Sequence, residues 1–251
     1  MSGSLVILLP ALAAGLLVAA THVPLGMQVL ARGIVFIDIA IAQIAGVGVL
    51  TADYLGFEAQ GIAVQIAALV AALLGALLLT WTERRWPDVQ EAIIGVTFVL
   101  AATAGILLLA GNPHGGEYLK DLLVGQILWV NTQQLIAVTV LTAVVLGIWL
   151  PFAERIGRVG FYLLFGLSVT ASVQLVGIYL VFATLIIPAL ATRNASRARL
   201  AKAYAVAALG YAVGLSLSAW LDLPSGAVVV WALAVCGTAA FAFEGGTPAR
   251  T

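Results

Sequence analysis

The chain has 251 residues, of which 63% are hydrophobic and only 9% charged, with a mean hydropathy of +1.14. Those fractions lie outside the range of water-soluble domains and make lipid the solvent for most of the sequence. A formal net charge of zero removes any electrostatic case for nucleic-acid binding, and alternating ten-residue segments of the porin kind are absent.

Apolar runs occupy about 5–22, 34–52, 60–81, 92–111, 122–151, 160–192, 203–220 and 225–243. Most reach the roughly 18 to 20 residues that a helix needs to cross a bilayer. The expected fold is therefore all-α, a polytopic transmembrane bundle of about eight to nine spans forming one domain over 1–251. The first run follows Met1-Ser2-Gly3-Ser4 without Lys or Arg, so it reads as a retained span and not as a cleaved signal. His22, just before Pro24, reads as an interfacial residue at the end of that span.

The second run carries Asp38, four residues in. A carboxylate at membrane depth is costly unless paired or hydrated and marks an ion or substrate path; pairing with Arg32 near the interface is the plainer alternative. Gln43 in the same run and Gln174 in the sixth offer oxygen ligands to such a path, or hydrogen bonds between helices. Trp81-Thr82-Glu83-Arg84-Arg85-Trp86-Pro87 has the composition of an interfacial anchor.

The loop from Gly111 to Asp121 is the one place where imidazole and carboxylates cluster. A helix starting near Gly116 would put Glu117 and Asp121 on one face, with His114 just before it. That trio suits a transient zinc or manganese site; a solvated turn, in which Pro113 and the glycines reverse the chain and Glu117 balances Lys120, is the plainer reading. Cys236 is the single cysteine, which excludes a disulfide framework. No nucleophile–base pair, His-Glu-x-x-His run or phosphate-binding Gly-x-x-x-x-Gly-Lys-Ser/Thr motif occurs. An enzyme is not expected, and any ATP-driven work would need a separate subunit.

Loop charges set the expected topology. With the N-terminus outside, Arg32, Arg84, Arg85, Arg155 and Arg158 fall in cytoplasmic loops, as the positive-inside rule prefers. A single crossing by 160–192 would then place Arg193, Arg197, Arg199 and Lys202 outside. That run would measure about 50 Å as one helix, too long for a hydrocarbon core about 30 Å thick. It is expected to break near Gln174-Leu175-Val176-Gly177 and return, which puts ten of the eleven basic residues inside.

Gln174 through Pro188 to Thr192 closely resembles the signature segment of the zinc, manganese and iron family of ABC permeases. Pro24-Leu25-Gly26 through Arg32 to Asp38, Asp121 to Leu128, and Leu217 to Ala227 resemble further segments of that family in the same order. The resemblance covers about 24–235. It implies the membrane-spanning permease of an ABC importer for zinc or manganese, with no permanently bound cofactor. The implied partners are two cytoplasmic ATPase subunits, an external metal-binding protein and a second permease subunit in the cytoplasmic membrane.

The family's aspartate is followed four residues later by a histidine, and the two are regarded as metal-contacting. Here Asp38 is followed by Ala42, then Gln43. The family's ATPase-coupling segment is reduced to Pro151–Arg158, where Glu154, Arg155 and Arg158 offer a shortened contact surface. An ATP-independent channel or secondary carrier on the same bundle is the alternative that these two departures leave open.

Overall fold

A computed structural model of the chain describes residues 2–58, 61–110, 115–152, 155–195 and 197–245. Among these residues all regular structure is helical: α1 (Ser2–Arg32), α2 (Ile37–Tyr54), α3 (Ile62–Arg85), α4 (Gln90–Leu109), α5 (Gly115–Val124), α6 (Thr132–Phe152), α7 (Gly157–Val176), α8 (Ile178–Ala191), α9 (Arg199–Leu221) and α10 (Ser225–Gly245), with 3-10 turns at Pro87–Val89 and Ile127–Trp129. Eight of the helices are long and apolar enough to cross a membrane; the apolar α8, with 14 residues, is shorter. Exposed Leu, Val, Ile and Trp side chains are numerous, as expected where the surroundings are acyl chains. The helices gather into two compact units, one formed by Met1–Arg32, Val124–Ala143 and Leu175–Thr251, the other by Gly33–Leu123 and Val144–Gln174.

In the first unit, small residues set the packing, as is usual between helices in lipid. Gly210 and Gly214, one turn apart on α9, lie against Leu233 and Val229 of α10, so these two helices run antiparallel. Gly15 of α1 lies against the Tyr211 ring, and Tyr204 Oη donates to the Ala20 carbonyl at 2.8 Å. Helices α1 and α9 are therefore antiparallel as well. Gly26 of α1 meets the Leu185 backbone of α8 so closely that a Cβ there would overlap the carbonyl. These pairings bring Arg32, Arg193, Arg197, Arg199 and Lys202 to one end of the unit. Asp222, Gly125, Gly177 and Gly226 lie at the other.

The expected break in the run 160–192 falls at Gly177, with φ 81° and ψ 162°, a conformation essentially reserved for glycine. Its neighbours leave no room for a side chain either, because the backbone of Val124 and Gly125 occupies the space. Gly125 has φ 70° and is closed in the same way by Val176 and Gly177. From this glycine pair α8 carries the chain across the first unit to the basic end, as the loop charges require.

Two boundaries differ from the sequence reading. The run 122–151 is not one span: α5 ends at Val124 and α6 begins at Thr132. Gly125 turns the chain, and Asn131 restarts it with a reciprocal cap, its Oδ1 accepting from Gln134 N–H at 2.8 Å while Gln134 Oε1 accepts from Asn131 N–H at 3.0 Å. This is a capping box in which Asn replaces the usual Ser or Thr.

The first helix does not end near His22 but continues to Arg32, with Pro10 and Pro24 inside it. Pro24 has no N–H for the Ala20 carbonyl one turn earlier. The hydroxyl of Tyr204 supplies the missing donor, so the helix passes through the proline with that carbonyl satisfied.

The second unit is organised around α2. Gly48 lies against Ala67 and Ala71, and Gly75 against Ile44, which sets α2 and α3 antiparallel. Gly105 faces Leu50, and Glu91 Oε1 accepts from Phe36 N–H at 3.3 Å, so α4 runs parallel to α2. Gly166 of α7 lies against Ala72 and Ala76, where Ala68, Ala72 and Ala76 form a fully buried stripe on α3. The anchor motif sits at the C-terminal end of α3, with Trp81 and Trp86 edge to face at 5.3 Å between centroids. Thr82 donates to Gln90 Oε1, and Gln90 Nε2 donates to the Leu79 carbonyl, each at 3.0 Å.

Candidate functional site

Asp38 lies in the first turn of α2 and is 1% exposed. The sequence at this end has no side-chain cap of its own. Glu91, in the first turn of α4, takes that place by accepting a backbone hydrogen bond from Phe36. With the helix start held by Glu91, Asp38 is not consumed as a cap. Its Oδ1 is buried with no hydrogen-bond partner among the described residues.

Residues 38, 42 and 45 share one face of α2 by helical spacing, and the latter two are buried alanines. Only methyl groups follow the carboxylate along that face. A buried carboxylate oxygen without a partner costs several kcal/mol in lipid, and its usual explanation is a ligand or a wet path.

Gln43 is also buried, at 7% exposure, whereas Gln174, near the end of α7, is exposed. Five residues separate Asp38 from Gln43, which turns their side chains about 140° apart around α2. Glu117 is exposed on α5, a helix that begins at Gly115 as the loop reading required. Asp121 falls on the same helix with its side chain outside the described residues, and His114 lies outside them altogether. Among the described residues no three His, Cys, Asp or Glu side chains group to hold a metal ion. Arg155, between α6 and α7, and Arg158, in the first turn of α7, are exposed; Glu154 lies outside the described residues. An apolar groove of about 620 Å³ between α2 and α4, lined by Phe36, Ile39, Val96 and Val99 among others, presents no ligand to a cation.

His22 was expected at an interface and is instead fully buried within α1. Its Nδ1 is 3.0 Å from the Val18 carbonyl and 3.0 Å from Thr21 Oγ1, which itself donates to Val18 at 3.2 Å. A carbonyl only accepts, so Nδ1 carries the proton and Nε2 the lone pair. Nε2 is buried with no partner among the described residues. Proline two residues on suggests the end of a span; the continued apolar run to Leu30 is the signal that the helix goes on.

The sequence pattern of the ABC 3 transport family matches residues 4–159 and 151–244. An uncharacterized membrane protein of Synechocystis sp. is 26% identical over 256 residues, covering 93% of this chain and 89% of that protein. Among solved structures, PsaBC from Streptococcus pneumoniae in complex with Fab superposes with a TM-score of 0.74 at 22% identity, covering 94% of this chain and 89% of the other. An inward-facing ABC transporter described as of metal-chelate type gives 0.70 at 17% identity, covering 94% and 84%. The last two establish the fold.

Proposed function

The chain belongs to the ABC 3 transport family, and on that basis we propose that it is the permease subunit through which an ABC importer moves a divalent transition metal, zinc or manganese, across the cytoplasmic membrane. The observation that carries the metal reading is Asp38, a carboxylate oxygen buried without a partner in a membrane-crossing helix. A divalent cation is drawn to the charge of such an oxygen, whereas a neutral solute can offer it only a hydrogen bond. The metal-chelate description of one structural relative agrees with it.

Asp38 and Gln43 are the oxygen ligands proposed for the path. Gln174, exposed at the end of α7, is a candidate at the path's edge, and His114, Glu117 and Asp121 are candidates for an outer collecting site. Energy would come from separate ATPase subunits. Their contact would include Arg155, Arg158 and Glu154. An external metal-binding protein and a second permease subunit complete the proposed assembly.

The test is accumulation of radioactive zinc and manganese in cells with and without the chain, before and after ATP is depleted at constant proton gradient. Uptake that needs both the chain and ATP supports the importer. Uptake that needs the chain but survives ATP depletion would establish an ATP-independent carrier or channel instead.

A further inference from the structure

We propose that the basic end of the first unit, Arg193 to Lys202 together with the end of α10, binds an anionic phospholipid of the leaflet on that side of the membrane. The site lies within one unit and goes beyond the metal-permease reading.

Charge is the first support. The stretch 193–202 holds Arg193, Arg197, Arg199 and Lys202 without an acid, and no Asp or Glu occurs between Val159 and Leu221. Glu244, in the last turn of α10, leaves the cations in excess. Arg193, Arg197 and Lys202 are exposed and Arg199 is half-buried. Two of the arginines meet neutral groups. Arg199 Nη2 donates to the Ala189 carbonyl, in the last turn of α8, at 3.4 Å, and its Nε has no acceptor among the described residues. Arg193 lies over the Phe241 ring of α10, 4.9 Å from its centroid. Basic residues clustered just beyond membrane-crossing helices attract the anionic lipids of the adjoining leaflet.

The backbone at the same place adds to that charge. Helix α9 starts at Arg199 behind Ala198, with no side-chain cap and no acid in its first turn. Its unmet N–H groups and the positive end of its dipole disfavour Arg199 and Lys202 there. A phosphate group relieves both, accepting from the backbone and balancing the side chains.

Depth and apolar surroundings favour a lipid over a soluble anion. Helices α9 and α10 are both long and apolar enough to cross a membrane, so their paired ends hold the cations at headgroup level. Leu200, Phe241 and Phe243 are exposed at this end. They set apolar surface beside the cations, where the acyl chains of a bound lipid begin and a soluble phosphate gains nothing.

The test uses the full chain in neutral detergent, titrated with phosphatidylglycerol and with phosphatidylcholine of identical acyl chains, the bound lipids being counted by native mass spectrometry. A phosphatidylglycerol with a photoreactive headgroup then locates the site by peptide mapping. The first phosphatidylglycerol should bind at least tenfold tighter than phosphatidylcholine, weaken as salt is raised, and crosslink within 193–202 or the end of α10. Arg193→Gln/Arg197→Gln/Arg199→Gln should abolish the preference, whereas Arg84→Gln/Arg85→Gln, which alters the basic pair at the end of α3, should keep it. Equal affinity for the two lipids, or a preference that survives in the folded triple variant, would overturn the proposal. Crosslinks confined to other segments of the wild type would do so even if the triple variant does not fold. Displacement of the lipid by millimolar inorganic phosphate would assign the cations to a soluble anion and overturn it as well.

Discussion

Removing the hydroxyl of Tyr204 should weaken the fold only because Pro24 is present. In the native chain the Ala20 carbonyl has lost its backbone donor to Pro24 and accepts from Tyr204 at 2.8 Å. Tyr204→Phe deletes one oxygen from a half-buried ring and leaves that carbonyl unmet at membrane depth. Unsatisfied buried acceptors cost about 1–3 kcal/mol, while measured hydrogen bonds between membrane helices average about 0.6 kcal/mol. An effect of about 1–2 kcal/mol is therefore expected. In a Pro24→Ala background the restored N–H of residue 24 takes the carbonyl, and the same Tyr204→Phe change should cost less than about 0.5 kcal/mol. The assay is reversible unfolding in mixed micelles or bicelles of wild type, the two single variants and the double variant, read as a double-mutant cycle. Equal costs of Tyr204→Phe in the two backgrounds would show that its hydroxyl does not replace the missing donor.

Gly177→Ala should abolish the junction between α7 and α8, because a Cβ there meets the backbone of Val124 and Gly125 in a conformation reserved for glycine; little folded protein is expected by size-exclusion chromatography in detergent, and native yield would refute the packing described. Asn131→Ala removes one arm of the cap that starts α6 and should cost about 0.5–2 kcal/mol, measured by the same unfolding assay. Glu91→Gln keeps an oxygen for the Phe36 N–H but removes the charge at the start of α2; a loss of about 0.3–1 kcal/mol is expected, and a loss of about 3 kcal/mol or more would give Glu91 a larger part than capping.

Much of this architecture is legible in the sequence because charge and length are properties of single segments. The placement of Arg193, Arg197, Arg199 and Lys202 cannot be reconciled with one crossing by 160–192, and the break at Gly177 resolves it. Asp38 is legible for the same reason, as a carboxylate in an apolar run.

What escapes a sequence reading depends on partners distant in the chain. Pro24 has the local signature of a helix end, and only Tyr204, far away in sequence, satisfies the carbonyl that the proline orphans. An interfacial His22 follows from ending the helix there, and the same contact places it inside the bundle. The split of 122–151 rests on Gly125 being closed in by Val176 and Gly177, which no local pattern reveals, although Asn131 and Gln134 carry a readable cap. The burial of Gln43 and exposure of Gln174 likewise require the packed helices, since both are glutamines in apolar runs.

The metal path is tested most directly by chain-dependent uptake of zinc and manganese in cells carrying Asp38→Asn, with the amount of folded protein in the membrane measured alongside. The two side chains are nearly equal in size, so the exchange removes the charge and little else. Uptake reduced tenfold or more at unchanged protein level is the predicted result. Uptake equal to that of the wild type would take Asp38 out of the path and remove the observation on which the metal assignment stands.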